Sequence, residues 1–165
     1  MNLYILRHGI AAERGTLDKD ADRALTPKGE RKLWRITEAM AALDLSFDLI
    51  LSSPYRRARQ TAGIVAEEFR ARKKLELCDS LAPAGDAKIL IQHINGLEPS
   101  PENVLLVGHE PYLSGLIARL VSGNLNLSVV MKKGGLCKLT TGSLKHGRCA
   151  ALEWLLTPKQ MELMG

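Results

Sequence analysis

The sequence predicts an α/β fold, a three-layer α/β/α sandwich built on a mainly parallel mixed sheet. Short apolar runs alternate along the chain with segments of helical periodicity, which is typical of a layered α/β fold. Three runs also end in polar residues: 3–6 lead into Arg7-His8-Gly9, 49–51 into Ser52-Ser53-Pro54, and 104–107 into Gly108-His109. Ligands of open α/β sheets bind outside the carboxyl ends of the strands, so we expect these residues to meet in one pocket.

The first half of the chain carries start signals for two helices. Thr26-Pro27 is typical of a helix N-terminus, and the apolar spacing after it predicts a helix over 27–43. Ser53-Pro54 repeats the signal with Ser53 as a cap, and apolar positions over 58–69 predict a second helix. A short strand is expected near 75–77.

The second half predicts two further helices and a hairpin. Asp86 is placed to cap a third helix, and a fourth starts near Pro111 and stops before Gly123. Two later strands, 136–140 and 149–155, are expected to pair across a polar turn.

The size and composition indicate one globular domain, residues 1–165. The chain is 45% hydrophobic and 25% charged, as is usual for a globular protein. No apolar run approaches the roughly 20 residues of a membrane helix, and the start of the chain lacks the features of a signal peptide. We therefore expect a cytoplasmic protein with no membrane contact, and a monomer.

Several cofactor classes do not fit the sequence. The three cysteines, Cys78, Cys137 and Cys149, are odd in number and show no C-x-x-C spacing, which argues against a disulfide framework and a zinc knuckle. There is no glycine-rich loop ending in Gly-Lys-Ser or Gly-Lys-Thr, and no H-x-H or H-E-x-x-H pattern. We expect no metal and no cofactor.

The charge balance favours an anionic ligand or an acidic protein partner. The net charge is +5 and the isoelectric point is near 9.2, which helps to steer anions toward the surface. Nucleic acid is the other polyanion to consider, but aromatic residues make up only 4% of the chain and the basic run 70–74 has no interleaved stacking residues. We therefore expect no nucleic acid partner.

The histidines divide into two pairs. His93 lies in a predicted helix and His146 in a predicted turn, and neither has a pocket motif around it. His8 and His109 each follow a strand and adjoin a glycine, which permits close approach of a ligand. The second pair is therefore the candidate for chemistry.

One connection is long enough to take part in a site. The polar segment 11–25, between the first strand and the first helix, carries Asp18, Asp20 and Asp22 beside the expected pocket. A functional loop and an ordinary surface loop both fit this composition.

Four motifs and a closing segment follow one another across most of the chain. They are Leu6-Arg7-His8-Gly9, Leu25-Thr26-Pro27-Lys28-Gly29, the run from Ser52 to Ala62, Val107-Gly108-His109-Glu110-Pro111, and Trp154-Leu155-Leu156-Thr157-Pro158. In order and separation they resemble the histidine phosphatase superfamily, and within it the small SixA-like phosphohistidine phosphatases. The resemblance implies a phosphoglycerate mutase-like fold and hydrolysis without a cofactor.

The resemblance also implies the roles of four residues. His8 would attack phosphorus and become transiently phosphorylated until water regenerates it, Arg7 and Arg57 would hold the phosphate, and His109 would donate to the phosphoryl oxygens. Physical chemistry agrees, because a neutral imidazole is nucleophilic near neutral pH and a flanking cation such as Arg7 disfavours its protonation. The planar fork of arginine also binds two phosphate oxygens at once.

Three other residues are candidates for supporting roles at this site. Glu110 and Asp86 are the candidate general acids, each with a surface carboxylate or helix cap as its alternative role, and the loop aspartates are further candidates. A phosphorylated imidazole can also leave with a proton from solvent, so a dedicated acid is not required. Ser53 is a helix cap or an additional ligand of the anion.

The expected function is hydrolysis of phosphohistidine on proteins, such as histidine-containing phosphotransfer domains. The chain leaves little material for a lid, and an open pocket suits a phosphate carried on a protein surface. The expected partner is a phosphorylated protein of the phosphorelay type, and phosphate or sulfate would bind the same pocket. The alternatives are a small-molecule phosphomonoesterase of the same superfamily and a phospho-ligand binding module without turnover.

Overall fold

The structure of the protein is a computed structural model that describes residues 1–15 and 19–164. It consists of one sheet with helices on both faces. The strands are β1 (Asn2–Arg7), β2 (Leu49–Ser52), β3 (Leu75–Leu77), β4 (Asn103–Gly108), β5 (Leu136–Thr141) and β6 (Ala150–Leu156). The helices are α1 (Pro27–Ala42), α2 (Arg56–Glu68), α3 (Ala87–Asn95), α4 (Tyr112–Ser122) and α5 (Pro158–Glu162). Short 3₁₀ turns lie at Asp20–Asp22, Arg72–Lys74 and Asp79–Leu81.

The sheet is mixed, as the sequence predicts. Its strand order is β3-β2-β4-β1-β5-β6. The first four strands in this order pair in parallel, whereas β5 runs antiparallel to both β1 and β6. The predicted hairpin of β5 and β6 is confirmed, and it adds an antiparallel edge to a parallel core.

Two hydrophobic clusters cover the two faces of the sheet. Leu3 and Ile5 of β1 pack in the cluster that includes α3 and α4, while Tyr4 and Leu6 pack in the cluster that includes α1, α2 and α5. Successive residues of a strand point to opposite faces, so continuous apolar strands need a layer of helices on each side. This arrangement confirms the three-layer α/β/α prediction.

Helix boundaries follow the predicted signals with one exception. The Thr26 hydroxyl caps α1 by accepting from Gly29 N–H, the Asp86 carboxylate caps α3, and Gly123 ends α4 in the left-handed region. The exception is α2, which begins at Arg56 after Tyr55 rather than at Pro54. The Ser53 hydroxyl accepts from Tyr55 N–H at 3.3 Å, but it also lies 2.7 Å from a histidine nitrogen, so it is not the cap of α2.

Strand register places three strand ends level with one another. Arg7 at the end of β1 pairs with Gly108 of β4, and Ser52 at the end of β2 pairs with Val107. The residues that follow these strands therefore face a common space. In the parts of the chain that the structure describes, no helix is both long and apolar enough to cross a membrane.

Candidate active site

A polar cavity of about 260 Å³ lies at the carboxyl ends of β1 and β4 and at the first turn of α2. It is lined by Arg7, His8, Arg14, Asp20, Arg23, Arg57, Pro83, His109, Glu110 and Lys133. The structure thus brings together the four motif residues Arg7, His8, Arg57 and His109. It adds residues of the 11–25 segment and of the turn before β5.

His8 is held in one tautomer by the backbone beside it. Its ring Nδ1 lies 2.7 Å from the carbonyl oxygen of Gly9. A carbonyl can only accept, so Nδ1 carries the proton and Nε2 of the neutral ring keeps its lone pair. Burial lowers the pKa of His8 to about 3, and the charges of His109, Arg57 and Arg7 act in the same direction against the opposing Gly9 bond. The ring is therefore neutral at neutral pH.

The main chain next to His8 is also fixed. Gly9 N–H donates to the Thr61 hydroxyl at 3.1 Å, and that hydroxyl donates to the carbonyl oxygen of Arg57 at 2.7 Å. Thr61 lies in α2 and is fully buried. The end of β1 is thus tied to the helix that supplies Arg57.

Arg57 directs its three kinds of nitrogen at separate acceptors. Nε–H donates to Nε2 of His8 at 3.2 Å, Nη1–H to the carbonyl oxygen of Asp20 at 2.6 Å, and Nη2–H to the Asp20 carboxylate at 3.1 Å. The side chain is only 4% exposed, although it carries a full charge. A buried cation needs such partners, because removing it from water without them is costly.

Arg7 lies on the other side of His8. Its Nη1–H donates to the carbonyl oxygen of Met131 at 2.8 Å, whereas its buried Nε has no hydrogen-bond partner among the described residues. Burial lowers the pKa of Arg7, and the negative charge of Glu110 partly offsets this effect. The guanidinium remains charged, because arginine does not lose its proton at ordinary pH.

His109 is the most deeply buried group of the cavity. Its ring is 5.0 Å from that of His8 between centroids, and its Nε2 shares a hydrogen bond of 2.7 Å with the Ser53 hydroxyl. Burial lowers the pKa of His109 to about 4, with the positive charge of Arg57 as the next cause. Its Nδ1 is buried without a hydrogen-bond partner in the described part of the chain.

The candidate carboxylates separate in space. Glu110 lines the cavity and accepts hydrogen bonds from the N–H and hydroxyl of Ser114 in α4. Asp86 lies elsewhere, because its carboxylate accepts from Lys88 N–H at the start of α3 and borders a different depression of about 410 Å³. Asp18 lies outside the described residues, and Asp22 is exposed.

Asp20, one of the three aspartates of the 11–25 segment, has a central position in the cavity. Its carboxylate contacts Arg57, Arg23 and Arg14, all of which line the cavity. The length and polarity of the 11–25 segment were the only sequence signals for this. Lys133 was not predicted, although it directly precedes the glycine pair at the entry to β5.

The described residues contain no group of three or more histidine, cysteine, aspartate or glutamate side chains arranged to hold a metal ion. Imidazoles and guanidiniums line the cavity, among them those of His8, His109, Arg7 and Arg57. A neutral nucleophilic nitrogen surrounded by fixed cations suits an electrophilic anion such as a phosphoryl group.

The sequence model of the histidine phosphatase superfamily (branch 1) matches residues 3–82. Because a SixA homolog is also 31% identical over more than two thirds of each chain, the chain belongs to this superfamily, and within it to the SixA-like group.

Three relatives show how far the similarity extends. An uncharacterised protein of Picosynechococcus is 35% identical over 146 residues, which cover 88% of each chain. A phosphohistidine phosphatase SixA homolog of Haemophilus influenzae is 31% identical, over 73% of this chain and 77% of its own. The solved structure of the protein histidine phosphatase SixA complexed with tungstate superposes with a TM-score of 0.83 at 24% identity, covering 96% of this chain and 98% of the other.

Proposed function

We propose that this protein hydrolyses phosphohistidine on a protein partner and that His8 is its nucleophile. The observation that carries the proposal is the pairing of Gly9 with Nδ1 of His8, which leaves the Nε2 lone pair beside Arg57. A nucleophile with its lone pair oriented and its ring neutral needs no separate base.

The reaction has two balanced steps. In the first, the Arg57 Nε–H leaves the lone pair of His8 Nε2 for a phosphoryl oxygen, and that lone pair forms a bond to phosphorus. The substrate P–N bond breaks at the same time, and its electron pair stays on the substrate ring nitrogen. In the second, a water oxygen bonds to phosphorus, the P–N bond to His8 breaks, and its electron pair returns to Nε2. The proton of the water passes to solvent or to the released phosphate. The sum is phosphohistidine plus water giving histidine and inorganic phosphate.

The cationic groups of the cavity suit the phosphoryl oxygens. We assign Arg7, and Arg57 through its Nε–H, to hold these oxygens, and His109 to donate to them, with Ser53 supporting His109 through their shared hydrogen bond. The unpartnered Nε of Arg7 is consistent with a role toward an anion. Fixed positive groups stabilise the charge spread over the oxygens in the transition state.

A dedicated general acid is not part of the proposal. The leaving group is an imidazole, which departs as a neutral ring when its second nitrogen already carries a proton. Glu110 remains the carboxylate to test, since it lines the cavity, while the position of Asp86 outside the cavity gives it no direct contact with the reacting atoms.

A protein substrate fits the rim of the cavity. Arg14 and Lys133 are exposed side chains at its edge, and the whole chain carries a net charge of +5. Such a rim favours a phosphate presented on an acidic surface. The relative from Haemophilus influenzae is a phosphohistidine phosphatase SixA homolog and the structural neighbour is a protein histidine phosphatase, which supports this proposal. We expect a phosphotransfer domain of a phosphorelay as the partner.

A cytoplasmic location accompanies this proposal. Cys78, Cys137 and Cys149 are free thiols, and the first two are buried. Burial raises the pKa of Cys137 to about 12, which keeps this thiol protonated and unreactive. Free thiols are compatible with a reducing compartment.

The first test is phosphate release from a phosphohistidine-bearing domain beside a panel of phosphomonoesters. We expect the wild type to prefer the phosphohistidine and His8→Ala to lose about 10³-fold or more of that activity. His93→Ala is the matched control, because His93 is an exposed histidine on α3. Activity that survives in His8→Ala would contradict the nucleophile assignment.

The same assay separates the alternatives. Preference for a monoester would identify a small-molecule phosphatase, whose catalytic residues would be the same and whose rim would set the substrate. Absence of turnover and of phosphorylated His8 with every donor would identify a binding module.

A further inference from the structure

We infer that Asp20 is a positioning residue for this reaction: it holds the Arg57 guanidinium so that Nε–H stays beside Nε2 of His8, where it passes from the ring nitrogen to a phosphoryl oxygen as the Nε2–phosphorus bond forms. The inference rests on the proposed function, from which it takes the roles of His8 and Arg57. Asp20 would act through Arg57 and would not itself touch the reacting atoms.

Two contacts from one residue fix the outer edge of the Arg57 fork. The backbone carbonyl of Asp20 accepts from Nη1 at 2.6 Å and its carboxylate accepts from Nη2 at 3.1 Å, while Nε reaches His8 at 3.2 Å. A planar group held at both outer nitrogens can no longer rotate about its long side chain. The direction of the remaining N–H at His8 is therefore set by Asp20.

Asp20 is itself held in place from the other side. One carboxylate oxygen accepts from Arg23, at 2.8 Å from Nε and 2.7 Å from Nη2, and Arg14 Nε lies 3.3 Å from the same oxygen. The second oxygen is left for Arg57. The carboxylate is thus held by Arg14 and Arg23 of its own segment while it contacts Arg57 in the first turn of α2.

Two other roles for Asp20 fit the contacts less well. A general acid must carry a proton, but although partial burial opposes ionisation, the hydrogen bonds from Arg23 and the charge of Arg57 lower the pKa of this carboxyl below its ordinary value. In the second role, the Asp20 carboxylate would compete with phosphate for the Arg57 guanidinium, and such a competitor would be held there by its side chain alone. Here one of the two contacts is made by the backbone, which a ligand cannot displace without moving the loop.

The positioning role predicts opposite effects on binding and on rate. Asp20→Asn keeps the side-chain shape, but its amide accepts from one arginine only and turns an NH₂ toward the other cation. Loss of a negative charge in the cavity favours an anion, so the Kd for inorganic phosphate should stay equal or become tighter. The rate of phosphoryl transfer should fall about tenfold or more, because misplacement of a catalytic group is costly.

Two further variants separate position from charge. Asp22→Asn removes the same charge from the same 3₁₀ turn, but Asp22 is exposed, so its effects should stay within about twofold. Asp20→Glu keeps the charge and displaces the carboxylate by one methylene, so it should slow transfer as Asp20→Asn does. A role of charge alone predicts that Asp20→Glu behaves as wild type.

The experiment measures three quantities for each variant: the Kd for inorganic phosphate, the rate of phosphate release from the phosphohistidine domain, and the thermal unfolding midpoint. Slower transfer with undiminished phosphate binding and an unchanged midpoint supports positioning. Faster transfer with tighter binding would identify a competitor and overturn the inference. Equal effects in Asp20→Asn and Asp22→Asn would also overturn it. So would weaker phosphate binding that is accompanied by a lower unfolding midpoint.

Phosphoramidate keeps this test separate from that of the proposed substrate. This small donor carries a P–N bond and reports phosphorylation of His8 in a single turnover. If the wild type ignores the phosphohistidine domain but phosphoramidate labels His8, the proposed substrate falls, and the labelling rates of the Asp20 variants still decide the inference. If no donor labels His8, both fall.

Discussion

At the scale of single residues, the cavity depends on groups that orient a neighbouring side chain. Gly9 orients His8 through its carbonyl, and Ser53 contacts His109 through its hydroxyl. Both histidines are nearly fully buried, so a misplaced hydrogen bond cannot be replaced by one to bulk water.

Ser53→Ala tests whether the contact with His109 matters for turnover. The variant should lose about tenfold in rate, which corresponds to about 1.4 kcal/mol of transition-state stabilisation. Ser52→Ala is its matched control, because Ser52 is equally buried but donates to the Ser53 carbonyl at 2.9 Å. Each variant should lower the free energy of unfolding by about 1 kcal/mol. Equal rates in the two variants would exclude a role for this contact.

The position of a residue can be predicted from the sequence where a motif fixes the backbone. His8 and His109 directly follow β1 and β4, and Arg57 lies in the first turn of α2, so strand and helix ends carry them to the cavity. Asp86 and Asp20 show the limit. Asp86 caps α3 and therefore lies outside the cavity. Asp20 contacts Arg57 from a loop, and the path of a loop cannot be predicted from the periodicity of the sequence.

At the scale of elements, the start of α1 is coupled to the end of β1. The carbonyl oxygen of Ile10 accepts from Thr26 N–H at 2.9 Å, and the Thr26 hydroxyl caps the helix at Gly29. A Cβ on Gly29 would lie 2.2 Å from that same carbonyl oxygen. Helix and strand therefore approach each other as closely as glycine permits.

Gly29→Ala should destabilise the protein, because backbone atoms must move to admit the methyl group. We expect a loss of about 1–3 kcal/mol in the free energy of unfolding, and slower turnover as Ile10 and the adjoining Gly9 shift. Gly63→Ala in α2 is the control, since a Cβ there meets nothing within 4 Å. It should stabilise by about 0.5–1 kcal/mol. Urea unfolding of both variants checks the contrast, and similar values would refute the steric account.

The element-scale prediction from sequence fails only where a tertiary contact competes with a local signal. Thr26 and Asp86 cap their helices as predicted, because their side chains have no stronger partner. Ser53 has the same local signature, yet its hydroxyl lies against His109, and α2 begins three residues later. A local sequence pattern around Ser53 cannot reveal that His109, which follows β4, is its hydrogen-bond partner.

At the scale of the whole molecule, the cavity places two buried histidines beside charged arginines. Burial, reinforced by the charges of Arg57 and Arg7, lowers the pKa of His8 and of His109, so the native state contains two histidines that resist protonation. The unfolded chain has no such restriction, and its histidines titrate near their ordinary pKa of about 6.5. Stability must therefore depend on pH.

The sign of this dependence follows from the lowered pKa values. Above about pH 6.5 both states carry neutral histidines and the contribution to stability is constant. Below it the unfolded state binds protons that the native state refuses, until the pH approaches the pKa of His109 at about 4 and that of His8 at about 3. Each histidine should lower the free energy of unfolding by about 1.4 kcal/mol per pH unit within its window.

Chemical unfolding between pH 7 and pH 4.5 measures this slope. We expect His109→Gln and His8→Gln each to make it shallower, whatever their stability at pH 7, because each removes one group that protonates only on unfolding. His93→Gln, at an exposed position of α3 outside the cavity, is the control variant. A slope that all three variants leave as in the wild type would mean that the cavity admits protons to its histidines. The neutral His8 nucleophile would then have no protection from mild acid.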